Sequence, residues 1–252
     1  MRKLASVLVC VVVAFTLLAI PASATDYGFD PEYAIEVTGA AVRAVDIKDA
    51  IEAGVPIALS EDNTLLSLNA ISEIAKADAP VEFILANGLN ISIDPASITD
   101  NAQAINLNID FAITSAGNQV AGIPANSIAL FPSASGDFGF EINIHITADQ
   151  LAQAGLKGNN VKLFYVSGDT IRDMGKARLN ADGSVTVVID SASHYILSDQ
   201  DIAVVAAEVG LTVVEDAPAR TDRNPITGVV LSFAGFAVAG TVALTAKKLK
   251  KK

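Results

Sequence analysis

The residues whose spacing points to chemistry are Asn224-Pro225-Ile226-Thr227-Gly228. Pro225 fixes its own φ and pushes Asn224 towards an extended shape. An extended, kinked peptide is what a protease-like groove takes in. Directly after Gly228 an apolar run extends from Val229 to Ala246 without a charged residue. About 18 residues are just enough to cross a hydrocarbon core as a helix. Lys247, Lys248, Lys250, Lys251 and Lys252 follow, and lysines behind a span favour the cytoplasmic side. The expectation is a transmembrane helix over residues 229–246 and a basic cytoplasmic tail over 247–252, with the bulk of the chain outside the cell.

This order of parts, N-P-x-T-G, then an apolar helix, then a basic tail, resembles the cell-wall sorting signal of Gram-positive surface proteins. The resemblance covers residues 224–252. It implies that a membrane-bound sortase, a cysteine transpeptidase, cuts between Thr227 and Gly228. The Thr227 carbonyl would be held as a thioester and then passed to an amine of the peptidoglycan precursor. The commonest pattern begins with Leu; here Asn224 stands in that place and leaves the sortase class open. The competing reading is a single-span anchor that no sortase processes, so that the protein stays in the membrane.

The other end carries a matching export signal. Arg2 and Lys3 precede an uncharged apolar stretch, Leu4 to Ile20, and Pro21-Ala22-Ser23-Ala24 supplies an A-x-A-like cleavage site. Residues 1–24 read as a secretory signal peptide cut after Ala24, with Ala22 at the other small position. The single cysteine, Cys10, lies inside it. Val9 precedes Cys10 where a lipoprotein needs a small residue, and the apolar run continues past it. The exported chain then has no thiol and no disulfide, and its core must hold it together.

The charge is lopsided. All 28 acids lie between Asp26 and Asp222, while two of the 17 bases lie in the first three residues and five in the lysine tail. The ten remaining bases against 28 acids leave residues 25–246 at −18. Such a surface argues against nucleic acid, which demands basic groups, and against docking on anionic lipid. Solubility outside the cell is the plainer reading.

Elsewhere the sequence offers little chemistry. It has no G-x-S-x-G, Walker loop, G-x-G-x-x-G or H-E-x-x-H. Of its two histidines, His145 alternates onto the polar face of a strand and reads as solvated. His194, beside Tyr195, reads as capping or as bonded in the core. Glu61-Asp62-Asn63 lacks the spaced oxygens of a calcium loop and reads as a polar turn. Tyr27, Phe29 and Tyr33 lie close enough together for a sugar-stacking platform, though packing on the core explains them as well. Lys162, on the polar side of its strand, is no favoured partner for a Lys–Asn crosslink. No catalytic residue, metal ligand or cofactor is assigned. A wall-associated hydrolase working through a carboxylate pair stays as the alternative, because so many acids make one possible in space.

The elements that must carry these residues are mostly strands. Tyr33, Ile35 and Val37 alternate with polar or small residues. Asp46 reads as an N-cap for a helix over 47–53, stopped by Gly54, and 67–77 reads as a second helix ended by Pro80. Beyond Pro80 the period becomes two. The runs 81–86 and 89–94 flank Asn87-Gly88, a type I′ hairpin signal. Ile105 to Ile113, Ser127 to Phe131 and Phe138 to Ile146 continue the alternation. Thr147 and Gln150 form a capping box for a short helix that stops at Gly155. Val161 to Tyr165, Val185 to Ile189 and His194 to Leu197 are further strands, and 199–214 reads as a strand pair or a helix.

The run Phe138 to Tyr195 resembles β-rich modules of secreted and wall-bound proteins of clostridia and their relatives, a resemblance that implies fold and compartment and no activity. The expected fold is mainly β, an antiparallel β-sandwich with a few short helices, plus the signal helix and the transmembrane helix. An N-terminal α/β cap region over 25–80 precedes a β-rich domain over 81–199, a final element and linker over 200–223, and the sorting motif over 224–228. The expected function is display of a non-enzymatic binding or structural module. Its partners are a sortase, a peptidoglycan precursor, the membrane before processing and an extracellular ligand that the sequence does not identify.

Overall fold

The computed structural model describes residues 34–37 and 39–214. The first half holds β1 (Ile35–Glu36), β2 (Ala41–Val42), α1 (Ala44–Ala53), β3 (Ile57–Ala58), β4 (Leu65–Leu66) and α2 (Leu68–Ile74). Then come β5 (Val81–Ile84), β6 (Asn90–Ile93), β7 (Ile105–Asn106), β8 (Ile109–Thr114) and β9 (Ser127–Pro132). The second half holds β10 (Asp137–Ile146), α3 (Ala148–Ala154), β11 (Lys162–Ser167), β12 (Thr170–Lys176) and β13 (Arg178–Leu179). It closes with β14 (Val185–Ser191), β15 (His194–Ser198), α4 (Ile202–Val209) and β16 (Thr212–Val213). Among the described residues, 39% strand against 19% helix makes the fold mainly β.

The strands form three sheets. The largest has the order β1-β3-β5-β6-β10-β14-β13, the next β16-β12-β11-β15-β9-β8, and a small one β2-β4-β7. The expectation of purely antiparallel pairing is corrected here. β1 with β3, β3 with β5, β2 with β4, and β12 with β16 run parallel. Parallel neighbours need a crossover between them. The stretches between β1 and β3 and between β3 and β5 carry α1 and α2, which supply those crossovers and pack on each other.

One core serves both large sheets. Ile91, Ile93, Ile142, Ile144, Val187 and Ile189 of the seven-stranded sheet are buried in the same cluster as Ile128, Leu130, Leu163, Tyr195 and Leu197 of the six-stranded sheet. Period-two alternation puts these side chains on one face of each strand. Each buried Ile or Leu is worth roughly 1.5–3 kcal/mol. The ion pairs Lys48–Glu52 and Lys76–Glu73 have exposed lysines, and such pairs contribute about 0–1 kcal/mol. Burial therefore dominates. A second, smaller cluster of Phe164, Ile171, Ile196, Val205 and Ala206 lies between α4 and the other face of the six-stranded sheet.

The local signals met mixed fates. The Thr147–Gln150 capping box forms, and Gly155 ends α3 in the left-handed conformation at φ 73°. Asp46 is not an N-cap: Arg43 holds that place, and Asp46, three residues on, accepts from the Arg43 backbone N–H at 2.8 Å. The capping-box carboxylate thus reaches back to the chain entry. Ser67 caps α2, accepting from Ala70 N–H, but the helix ends at Ile74 rather than running to residue 77. Asn87-Gly88 does not make a two-residue type I′ turn. β5 and β6 pair Ile84 with Asn90, leaving five residues between them. Asn126 is the one non-glycine at positive φ among the described residues, so Asn87 does not adopt the conformation a type I′ turn demands. Its side chain instead donates to Ile109 O at 2.8 Å and accepts from Leu89 N–H. The 199–214 stretch contains both alternatives, a helix followed by a two-residue strand.

β10 pairs with β6 on one side and β14 on the other. Its register with β14 shifts between Asp137 and Ile142. Gly139 sits in that irregular stretch at φ 75°. A Cβ there would lie 2.6 Å from backbone atoms of Ala102 and Asn101. The close approach lets Thr99 donate from its backbone N–H and its hydroxyl to Gly139 O, at 2.9 and 2.8 Å. Gly139→Ala combines left-handed strain with a backbone clash, at a cost of about 2–4 kcal/mol. Denaturant unfolding checks this; an unchanged midpoint would show that the segment can move aside.

Candidate functional site

The residues singled out for sorting, Asn224, Pro225, Ile226, Thr227 and Gly228, lie outside the described residues, as do the signal-cleavage positions Ala22 and Ala24. So do the apolar run 229–246 and the Tyr27, Phe29 and Tyr33 cluster. Among the described residues no helix is long and apolar enough to cross a membrane. What the structure supplies is the platform from which this segment departs. β16 ends at Val213, and Val214 N–H donates to Ile171 O at 3.0 Å. Nine residues, 215–223, lie between Val214 and Asn224.

Within the described residues, one cluster of polar side chains deep in the protein centres on His145. The solvated reading of this residue is overturned: His145 is 2% exposed. Its strand lies in the interior of the seven-stranded sheet, and its polar-side neighbours are Ser92 on β6 and Thr186 on β14. Ser92 Oγ stands 3.2 Å from His145 Nε2, and Thr186 Oγ1 stands 3.1 Å from Nδ1. The network continues outward. Asn180 Nδ2 donates to Thr186 Oγ1 at 3.0 Å and to Ser184 Oγ at 2.8 Å. Ser184 Oγ donates to Asp182 Oδ1 at 2.7 Å. Sequence alternation placed His145 on a polar face correctly, but 53 and 41 residues separate it from Ser92 and Thr186. No local spacing announces such a cluster.

A hydroxyl beside an imidazole is the pairing used to activate a serine nucleophile. Here two features oppose that use. Ser92 and His145 are both buried, so an acyl group has no path to the serine in this fold. The ring's other nitrogen stands 3.1 Å from the Thr186 hydroxyl, whereas the histidine of a serine triad is oriented by a carboxylate. Burial, with Arg178 adding to it, pushes His145 down to about 4. The imidazole is therefore neutral, with one nitrogen donating and one accepting. It ties β6, β10 and β14 to the turn between β13 and β14.

The remaining polar features are shallower. His194 is half-buried and meets Phe131 edge-on at 5.1 Å between ring centres, and burial lowers its pKa. Tyr195 lies in the core, where its hydroxyl donates to Ser191 O at 3.0 Å. Lys162 pairs with Asp173 at 2.9 Å across β11 and β12, at a partly exposed position. Asn63, from the Glu61-Asp62-Asn63 turn, donates from Nδ2 to Val37 O at 2.6 Å. Its amide thus ties the turn to the start of the domain. Glu82, on β5, is half-buried, and burial raises its carboxyl. No grouping of three or more His, Cys, Asp or Glu suited to a metal occurs among the described residues. A groove of about 510 Å³ lies between the β8–β9 loop and α4, lined by Val120, Ile123, Ala125 and Glu208. Glu208 Oε2 accepts from Ala125 N–H at 3.0 Å and holds the loop to the helix.

Comparison with known proteins adds no assignment: no family model, curated protein or solved structure matches this chain.

The buried neutral histidine makes stability depend on pH. The unfolded chain takes up a proton near pH 6.5, whereas folded His145 resists it down to about pH 4. Stability is full above pH 6.5 and falls as pH drops from 6.5 towards 4, by up to about 3 kcal/mol. His194, lowered in the same direction, adds to this slope. Unfolding midpoints measured between pH 7 and 4.5 should show the decline. His145→Gln should flatten most of it, and an equal slope in the variant would remove His145 as its source.

Proposed function

We propose that this chain is an exported surface protein of a Gram-positive cell, joined to peptidoglycan through Thr227 by a sortase. It displays a non-enzymatic, sandwich-like β module with a binding or structural role. The observation that carries this reading is the order of parts after Val214: a short polar tract, N-P-I-T-G, an uncharged apolar run, then lysines. Before processing, the apolar run spans the membrane and presents the Thr227–Gly228 bond at its outer surface. The acceptor is an amine of the peptidoglycan precursor. The signal-like segment over 1–24 and the −18 charge of the stretch between the two ends suit export and an aqueous surface.

The described fold supports this reading through its ending. Thirteen residues lead from Val214 to Thr227. At full extension they reach no more than about 45 Å, so the module stands close to its point of attachment. The Ser92–His145 pair is buried, which favours a structural over a catalytic use of it.

Mass spectrometry of wall-bound protein released by a muramidase tests the proposal. The expected product ends at Thr227 and carries a wall fragment, and Thr227→Ala abolishes its release. Intact chain through Lys252, found in the membrane fraction for both wild type and variant, would mean a single-span anchor with no sortase step.

A further inference from the structure

The turn between β5 and β6 holds the one Asn-Gly pair of the sequence, Asn87-Gly88. Such a pair can modify itself. The backbone nitrogen of the glycine attacks the asparagine Cγ, and the new C–N bond closes a succinimide ring. The bond from Cγ to Nδ2 breaks, and Nδ2 leaves as ammonia, taking by way of water the proton that the glycine nitrogen gives up. Water then opens the ring on either side and yields aspartate or isoaspartate, with one new negative charge. Glycine favours the attack because no Cβ crowds its nitrogen and its backbone turns freely.

In this fold the reacting atoms are already engaged. Gly88 N–H, the nucleophile, donates to Leu85 O at 2.8 Å. Asn87 Nδ2, the leaving group, donates to Ile109 O at 2.8 Å, and Asn87 Oδ1 accepts from Leu89 N–H at 3.1 Å. Leu85 N–H donates to Leu89 O at 2.9 Å and closes a three-residue loop, with Gly88 at φ 81°. A glycine in the left-handed region is the usual third residue of such a loop. Leu85 and Leu89 are buried in the main core, which fixes the acceptor of Gly88 N–H. Asn87 and Gly88 themselves are exposed, so water reaches them. What holds the reaction off is the hydrogen bonding of its atoms. The same side chain also spans two sheets: β5 and β6 belong to the seven-stranded sheet, and Ile109 opens β8 of the six-stranded one.

We propose that Asn87-Gly88 is a self-deamidation site that the native turn holds closed, and that its conversion cuts this link between the two large sheets for good. Opening of the turn frees the Gly88 nitrogen and the Asn87 amide together, and the reaction then runs. The product cannot restore what was lost. A carboxylate still accepts from Leu89 N–H, but it has no donor for Ile109 O and sets its own charge against that carbonyl. Isoaspartate also lengthens the backbone inside a loop whose closure depends on Leu85 and Leu89.

Peptide mapping by mass spectrometry tests this on the full chain, incubated in mildly alkaline buffer with and without denaturant. Enzymatic methylation of isoaspartate gives a second count of converted sites. In denaturant the peptide holding Asn87 should convert ahead of those holding Asn118 and Asn126, which precede larger residues. In the native protein it should convert more slowly by about tenfold or more, since two hydrogen bonds must open first. Asn87→Asp, which places a product side chain on an unaltered backbone, should lower the denaturant midpoint. Asn118→Asp, whose parent amide makes only a long 3.5 Å bond to Ile113 O, should leave it nearly unchanged. Equal rates with and without denaturant would overturn the protection. No conversion of Asn87 in denaturant would remove the site, and an unchanged midpoint for Asn87→Asp would remove the link between the sheets.

Discussion

Most of the described fold leans on the burial of two sheet faces against each other. With Cys10 the only cysteine in the sequence, no disulfide limits the unfolded state in residues 34–214. The work falls to alternating isoleucines, leucines and valines. β10 is the central member: it is ten residues long, it is paired on both sides, and Ile142, Ile144 and Ile146 are buried. A strand paired on both edges and buried on one face can carry polar side chains only on its other face. That constraint puts His145 between Ser92 and Thr186. It also makes the irregularity at Gly139 costly to disturb, because the 99–103 segment docks on the one backbone stretch that lacks a Cβ.

The polar network and the apolar core are therefore two faces of one arrangement. Ile144 and His145 are successive residues and point opposite ways, one into the shared core and one into a chain of hydroxyls and amides. The imidazole is neutral because burial penalises its charged form and Arg178 adds to this, outweighing the opposing pull of Asp182. A buried polar group that is satisfied specifies one arrangement of its neighbours. Here the neighbours are three strands and the tight turn after β13.

Local signals were read well where they act locally. The Thr147–Gln150 box and the Gly155 stop need nothing outside their own few residues, and both form. The alternation of Phe138 to Ile146 told which residues share a face. It did not tell what covers that face, and so His145 was expected in water. The parallel pairing of Ile35–Glu36 with Ile57–Ala58 has no short-range signature either, since it depends on helices that return the chain in the same direction. At Asn87 the dipeptide suggested a tight hairpin, but a distant acceptor, Ile109 O, recruits the side chain and the turn widens. The proposed sorting motif would be legible for the opposite reason: a short peptide read by an enzyme must carry its information in its own sequence.

The way the chain leaves the domain has a mechanical consequence. Val214 follows a strand held to β12 by two residue pairs, Thr170 with Thr212 and Ile171 with Val213. Those residues and α4 rest on the smaller apolar cluster, which is separate from the main core. A pull applied through residue 215 is borne first by Thr212 N–H on Asp169 O and Val214 N–H on Ile171 O. It passes next to the packing of Val205 and Ala206, and only then to β11 and the two-sheet core. If the chain is anchored through Thr227 as proposed, β16 and α4 form a short sacrificial element at the anchored end. β16 and α4 can peel away and lengthen the tether by some twelve residues while the shared core stays folded, because elements with few buried contacts open before the rest.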